Sequence, residues 1–290
     1  MLNVIVAPYE YNQNAEYIAK RIVRILKNRK VEYSVYFSHD LLDVSKNVKE
    51  LTAMGESEFV CIGDDVVLNK VINSVRDLTR IKLGIIPTGK HDDFAEYLGI
   101  SSNPIEALND ILAEHIEAVD FLLVGNERVL NNVQIGARAE AYDIYNKYKL
   151  KNFVTEKYAI MRYANKFAGI ELTFNSKGGK LKTENIFDMS ISNGGLSRRA
   201  KLSPLANVQD GLMNVNYSTM ESITEKKSYL KEFHTGKQVY NDSLTQMWTN
   251  NIRLSTETKS IKAIVDGEVK ILDNSEIVVI EGGLKIFKRA

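Results

Sequence analysis

Cys61-Ile62-Gly63-Asp64-Asp65-Val66-Val67-Leu68-Asn69-Lys70-Val71-Ile72-Asn73 is the stretch whose reading decides the fold. It begins inside a short apolar run, Phe59-Val60-Cys61-Ile62, of the kind that forms a buried strand. Beyond the glycine and the aspartates the apolar residues take helical spacing, and Val66–Leu78 reads as a helix. Working upstream, Leu2–Ala7 and Val31–Phe37 read as strands, while Asn14–Lys27 and Leu41–Met54 read as helices, the second ending before Gly55. Downstream, Leu83–Ile86 is a strand stopped by Pro87. Phe94–Leu98 and Pro104–Glu114 are helical, and Pro104 suits a helix start. Repeated strand–helix alternation implies a mostly parallel sheet covered by helices.

The character changes near residue 118. Short segments then alternate apolar with polar residues: Val119–Val124, Arg128–Ile135, Gly169–Phe174, Ile186–Ser192, Leu212–Tyr217, Asn251–Ser255, Ser260–Val265 and Glu276–Ile280. This pattern predicts an antiparallel sheet or sandwich. One helical insert, about Ala141 to Phe167, interrupts it. The expected division is therefore an α/β domain over 1–118 and an all-β sandwich over 119–290. Leu284–Phe287 is a further strand, a tail that could pack back on the first domain.

Bulk properties narrow the function. The 290 residues are enough for two domains at roughly 100–200 residues each. The net charge of +1 argues against bulk attraction to nucleic acid or an anionic membrane. The single cysteine, Cys61, suits a reducing cytoplasm and reads as a buried strand residue. The N-terminus lacks the basic region and cleavage site of a signal peptide. No apolar run reaches the ~18–20 residues of a membrane span. A cytoplasmic protein able to touch a membrane surface is the expectation. The histidines His39, His91, His115 and His234 show no metal-ligand spacing.

Several motifs fall in one order along the chain. Gly63-Asp64-Asp65 leads into Leu68-Asn69-Lys70-Val71-Ile72-Asn73. Leu83-Gly84-Ile85-Ile86-Pro87 precedes Asp93-Phe94-Ala95 and Leu98-Gly99-Ile100. Asn193-Gly194-Gly195, Pro204, Ala206 and Asp210-Gly211-Leu212 follow, then Val265-Asp266-Gly267-Glu268 and Glu281-Gly282-Gly283-Leu284-Lys285. This series resembles the diacylglycerol kinase and sphingosine kinase family over nearly the whole chain. The resemblance implies a nucleotide-binding α/β domain, a β-sandwich domain, and an active site in the cleft between them. It also implies ATP as phosphoryl donor, Mg2+ as its counter-ion, and a lipid hydroxyl as acceptor. Glu268 would be the general base, positioned by Asp266, with Asp64 near ATP and its magnesium. Gly63, Asp65, Gly89, Lys90, Asp93, Asn193 and Gly194 would line the nucleotide. Asp210, with backbone carbonyls of Asn207 and Leu212, would form a second, structural magnesium site, whose oxygen-only donors suit that hard ion. A second copy of the chain is a candidate partner, and nucleic acid is not.

The chain departs from the family pattern mainly in the ATP half. Ile62, Asp65 and Val66 replace the loop's glycines and threonine. Lys90, His91, Asp92 and Glu96 replace threonine, glycine, asparagine and arginine in the second loop. Ala7-Pro8-Tyr9-Glu10 keeps only the proline of the first phosphate loop, and Leu196 replaces a glycine. Asp65 and Asp92 add carboxylates where a polyanion would sit; two charges at ~4 Å repel by about 4 kcal/mol at an effective dielectric near 20. A catalytically impaired pseudokinase that binds lipid or protein is thus the alternative to an active kinase. Plainer readings stand beside these. Asp64 and Asp65 suit a helix N-cap, Asp92 and Asp93 suit a helix N-terminus, and Asp266-Gly267 suits a hairpin turn. The insert interleaves Tyr145, Tyr148, Phe153, Tyr158, Tyr163 and Phe167 with Lys147, Lys149, Lys151, Lys157, Arg162 and Lys166. It reads as a membrane-facing segment or as an ordinary amphipathic helix pair.

Overall fold

The computed structural model describes residues 1–8, 13–89, 91–150, 153–163, 166–176, 179–197, 200–232 and 235–289. Tyr9, Glu10, Lys90, Lys151 and His234, all singled out above, lie outside the described residues. The chain forms two compact units: Met1–Phe121 with Glu281–Ala290, and Leu122–Ile280.

The first unit runs β1 (Leu2–Val6), α1 (Gln13–Asn28), β2 (Tyr33–Phe37), α2 (Leu41–Ala53), β3 (Glu58–Ile62), α3 (Asp65–Ser74), β4 (Lys82–Ile86), α4 (Asp93–Tyr97) and α5 (Pro104–Leu112). β5 (Ile116–Val124) then carries the chain out of it. The strands pair in parallel in the order β2-β1-β3-β4, with Ile5 beside Cys61 and Cys61 beside Ile85. All five residues of β1 are buried, as expected of a strand covered on both faces. α1 supplies the stripe Ala15, Ala19, Ile22 and Leu26, each fully buried. Asp40 caps α2 by accepting from the Asp43 amide at 2.7 Å. The helix expected to reach Leu78 stops at Ser74, because Val75 adopts extended backbone and the Asp77 carboxylate caps a separate 3-10 turn, Leu78–Arg80. The far edge of β4 pairs in parallel with Lys285–Ile286 from the chain's last strand.

The second unit runs β6 (Glu127–Val129), β7 (Asn132–Gly136), α6 (Ala137–Tyr145), α7 (Phe153–Tyr163), β8 (Ile170–Ser176), β9 (Lys182–Ile186) and β10 (Asp188–Ser192). The two-residue strands β11 (Leu196–Ser197) and β12 (Ala200–Lys201) follow, then β13 (Met213–Ser218), α8 (Ile223–Glu232), β14 (Leu244–Thr249), β15 (Asn251–Ser255), β16 (Ser260–Val265), β17 (Glu268–Asp273) and β18 (Ser275–Phe287). One antiparallel sheet has the order β14-β13-β10-β7-β16-β17; β8, β9, β15 and the start of β18 form a second antiparallel layer. Val133, Ile135, Met189, Ile191, Met213 and Val215 from the first layer pack with Leu172, Phe174, Ile252, Leu254 and Ile277 from the second. Alternation along the strands builds this sandwich core.

Three expectations shift. Arg128–Ile135 is not one strand: it breaks at Leu130-Asn131, whose amides turn aside to a carboxylate described below. The helical insert is two helices, α6 and α7. The segments expected at Glu276–Ile280 and Leu284–Phe287 are parts of one strand, β18. β9, β14, β17 and α8 have no counterpart among the expected segments.

The other face of the first layer is polar, yet it is not solvated. Asn132, Gln134, Asp188, Ser190, Ser192, Asn214, Asn216 and Ser218 all lie on it and are no more than 4% exposed. Asn132 Nδ2 donates to the Leu196 carbonyl at 2.8 Å, and Asn216 Nδ2 donates to Ser203 Oγ at 2.8 Å. Leu196 and Ser203 therefore bond directly to this polar face.

Candidate functional site

In the first unit, two strand-to-helix loops meet. Gly63 ends β3 where a side chain would not fit: an added Cβ would lie 2.9 Å from Val67 Cβ and 3.3 Å from Ala7 Cβ. Asp64, 6% exposed, caps α3 by accepting from the Val67 amide at 3.3 Å. Asp65 turns toward the second loop. Its carboxylate accepts from the Phe94 amide at 3.1 and 3.2 Å, and its own amide donates to the His91 carbonyl at 3.1 Å. Gly89 and His91 both sit at positive φ, which lets this loop fold back tightly. Asp92 Oδ2 accepts from the Thr88 amide at 3.0 Å and from the Gly89 amide. Asp93, 7% exposed, opens α4.

Four aspartates are therefore gathered beside one another, and their electrostatics follow. Burial raises the Asp92 carboxyl to about 7; the nearby Asp64 and Asp93 charges push the same way, against the Gly89 and Thr88 amides. Burial also pushes the Cys61 thiol up, with Asp64, Asp92 and Asp65 adding to it, so this cysteine is an inert core residue. Amides at such loops are ordinary donors to phosphate. Here carboxylates of the chain itself occupy those of Thr88, Gly89 and Phe94. As they stand, these three donors do not fit a triphosphate. Among the described residues, no three His, Cys, Asp or Glu side chains converge to hold a metal ion.

In the second unit, Asp266 and Gly267 form the two-residue turn of the β16–β17 hairpin, both at positive φ. The Asp266 side chain is buried and reaches across to β7. Oδ2 accepts from the Leu130 amide at 2.8 Å, and Oδ1 accepts from the Asn131 and Asn132 amides at 2.8 and 3.2 Å. From the other side, Asn193 and Gly194 donate their amides to the Asn131 carbonyl at 2.9 Å, and Asn193 Nδ2 donates to the Leu130 carbonyl at 2.7 Å. Two motifs far apart in sequence thus converge on Leu130–Asn132. Glu268 opens β17 beside the turn; its side chain is 43% exposed and lies 3.5 Å from Lys270 Nζ. The accessible carboxylate is therefore Glu268, while Asp266 is an anchor of the turn.

Asp210 and Asn207 are exposed, and each forms a local turn. Asp210 Oδ1 accepts from the Leu212 amide at 3.0 Å, and Asn207 Oδ1 accepts from the Gln209 amide at 3.1 Å. One carboxylate plus backbone carbonyls is a donor set that fits Mg2+, which keeps several waters.

Sequence reasoning missed a second cluster on the buried polar face. Arg138 Nε lies 3.0 and 3.1 Å from the two Asp188 oxygens, and its Nη2 lies 2.8 Å from Oδ2. The Tyr229 hydroxyl donates to Asp188 Oδ2 at 3.2 Å, and burial holds that phenol well above its ordinary range. Beside this pair opens a pocket of about 60 Å³, walled by Tyr142, Ile160, Met161 and Leu230 and lined also by Gln134, Ser197 and the charged Arg138, Glu156, Lys157 and Lys231. The sequence signal was the alternation Asn132-Val133-Gln134-Ile135, which reads equally well as a solvated strand face.

Comparison with known proteins follows the same lines. Residues 1–124 match the model of the diacylglycerol kinase catalytic domain. A "Putative lipid kinase" of Staphylococcus carnosus is 29% identical over 265 residues, covering 84% of this chain and 82% of that one. A diacylglycerol kinase of Staphylococcus aureus is 24% identical over 248 residues, covering 82% and 76%. A solved structure from Bacillus anthracis, described as "a putative diacylglycerol kinase", superposes with a TM-score of 0.79 at 18% identity, over 99% of this chain and 95% of that one. At that identity the superposition shows a shared fold.

Proposed function

We propose that the protein is an ATP-dependent lipid kinase acting on a hydroxyl of diacylglycerol or a related lipid, because residues 1–124 match the model of the diacylglycerol kinase catalytic domain. The observation that supports this reading is the buried Asp266 carboxylate, which holds the Leu130, Asn131 and Asn132 amides and so fixes the turn beside the accessible Glu268. Glu268 is accessible and accepts the proton of the attacking hydroxyl. Asp266 fixes the turn that presents Glu268, while Asn193 and Gly194 brace the opposite side of Leu130–Asn132. ATP, when bound, supplies the γ-phosphoryl group, its charge screened by Mg2+. In this reading Asp64, Gly63 and Asp93 of the first unit serve that group. Asp210 with the Asn207 and Leu212 carbonyls would hold a structural Mg2+.

No described helix is long and apolar enough to cross a membrane. Exposed Val154 and Tyr158 on α7, next to exposed Lys157 and Arg162, support peripheral contact with an anionic bilayer.

The carboxylates at the loop amides favour a second reading: a module that binds lipid without transferring phosphate. Melting the protein with and without saturating Mg-ATP separates the two. Occupancy at ~100 times the dissociation constant adds about 2.7 kcal/mol, a clear shift. A shift together with radiolabel transfer from ATP to dioctanoylglycerol supports the kinase. No shift at millimolar Mg-ATP, with lipid binding retained, supports the binding module.

A further inference from the structure

Among the described residues, the sheet of the first unit ends at β2, which pairs only with β1, residue for residue from Tyr33 to Phe37 and with no bulge. The Leu2 amide donates to the Glu32 carbonyl at 3.1 Å, so the backbone groups of Glu32, Ser34 and Tyr36 face β1. Alternation then turns the N–H and C=O groups of Tyr33, Val35 and Phe37 outward, along the edge. Edge strands are ordinarily blunted by charge, proline or a bulge. β2 has none of these: it reads Tyr-Ser-Val-Tyr-Phe, and Phe37 is 51% exposed. Leu42, 73% exposed, stands just beyond it on the first turn of α2. The charges lie outside the strand, with Lys30 and Glu32 before it and Asp40 after it, all exposed.

We propose that β2 is the surface by which two copies of this chain associate, antiparallel about a two-fold axis at Val35. In that register Val35 faces its own counterpart, and Tyr33 of each copy faces Phe37 of the other. Every facing pair has its backbone groups turned outward, so each exchanges two N–H···O=C bonds. Sliding the register by two residues loses one of these pairs from the strand. Tyr33 and Phe37 form aromatic cross-strand contacts on either side of the Val35 pair, on one face of the joined sheet. Lys30 precedes the strand and Asp40 follows it, so antiparallel pairing brings each to its opposite on the other copy. Parallel pairing would set like charge beside like and would not close on a two-fold axis. The occupant is a second copy because β2 complements itself in this register, in its apolar centre and at its charged ends. The two sheets then run on as one across the axis.

The test is sedimentation equilibrium of the full chain, with cross-linking to read the register. The wild type is expected to be mostly dimer at ~20 μM, as micromolar affinity requires. Val35→Lys sets two like charges against each other at the axis and should weaken association at least ~10-fold. Lys30→Glu puts a carboxylate opposite Asp40 and should weaken it ~3–10-fold at low salt, the difference fading in ~0.5 M salt. Far-UV circular dichroism establishes that each variant folds, and Val35→Cys keeps the test open if Val35→Lys does not. Facing Cα atoms of a hydrogen-bonded pair lie ~5.5 Å apart, within disulfide reach, so diamide should cross-link the Val35→Cys chains. Ser34→Cys chains are offset from one another by two residues and should not cross-link, and the native Cys61 is buried. Loss of the dimer in folded Val35→Lys, with cross-linking confined to Val35→Cys, supports the proposal. A wild-type monomer at ~100 μM, an open-ended assembly, a dimer that survives Val35→Lys, or equal cross-linking through Ser34→Cys overturns it.

Discussion

Replacing Asp92 with asparagine should stabilise the protein above neutral pH and leave it nearly unchanged in acid. Burial and the Asp64 and Asp93 charges raise this carboxyl from 3.8 to about 7. Between pH 4 and 7 the folded chain therefore holds a proton that the unfolded chain has already lost. Wild-type stability falls as pH rises through that window, then levels off. A shift of about three units corresponds to ~4 kcal/mol at most, since one unit is worth 1.36 kcal/mol. Asp92 is partly exposed, so screening reduces this to ~2 kcal/mol. Asparagine does not titrate. Its Oδ1 can still accept from Thr88 and Gly89, and its Nδ2 would sit near the Asp64 and Asp93 carboxylates. Thermal unfolding of both proteins from pH 4.5 to 9 checks this. The expected gain is near zero at the acid end and roughly 4–8 °C at pH 8. A gain that does not grow with pH, or an Asp92→Asn protein less stable than wild type at pH 8, would refute the reasoning.

Other substitutions separate anchoring from chemistry. Glu268→Gln should abolish phosphate transfer with the melting temperature within ~2 °C of wild type; retained turnover removes Glu268 as the base. Asp266→Ala strips three buried amides of their acceptor and should cost at least ~3 kcal/mol in chemical denaturation; a cost under ~1 kcal/mol would mean water or another group replaces the carboxylate. Gly63→Ala forces a methyl within 2.9 Å of Val67 Cβ, and ~1–3 kcal/mol of overpacking is expected in the same assay. Arg138→Ala leaves Asp188 buried and uncompensated, at ~3–5 kcal/mol, whereas Arg138→Met with Asp188→Leu should be far milder; equal losses would argue against a charge effect.

The sequence carried the βα units well, because a strand buried on both faces and an amphipathic helix leave distinct periodicities. It also carried the Asp266-Gly267 turn and the order of the motifs. It could not say where the side chain of Asp266 goes, because its partners, the Leu130–Asn132 amides, are distant in sequence. β7 and β10 alternate as any half-solvated strand does, so Gln134 and Asp188 looked like surface residues. Their burial depends on partners distant in sequence, Arg138 on α6, Tyr229 on α8 and Ser197, which local patterns do not reveal. Asp65 and Asp92 were legible as departures from the family, but the amides they occupy were not.

The last strand has a consequence for synthesis. β4 offers a row of backbone groups along one edge, and its partner there is Lys285–Ile286. On the ribosome the first unit therefore emerges with that edge open, and it stays open until some two hundred further residues have followed. Parallel pairing across such a separation is slow to form, and an open edge invites pairing with other chains. Nascent or truncated chains ending before β18 are accordingly the form in which this protein needs a chaperone or meets a protease.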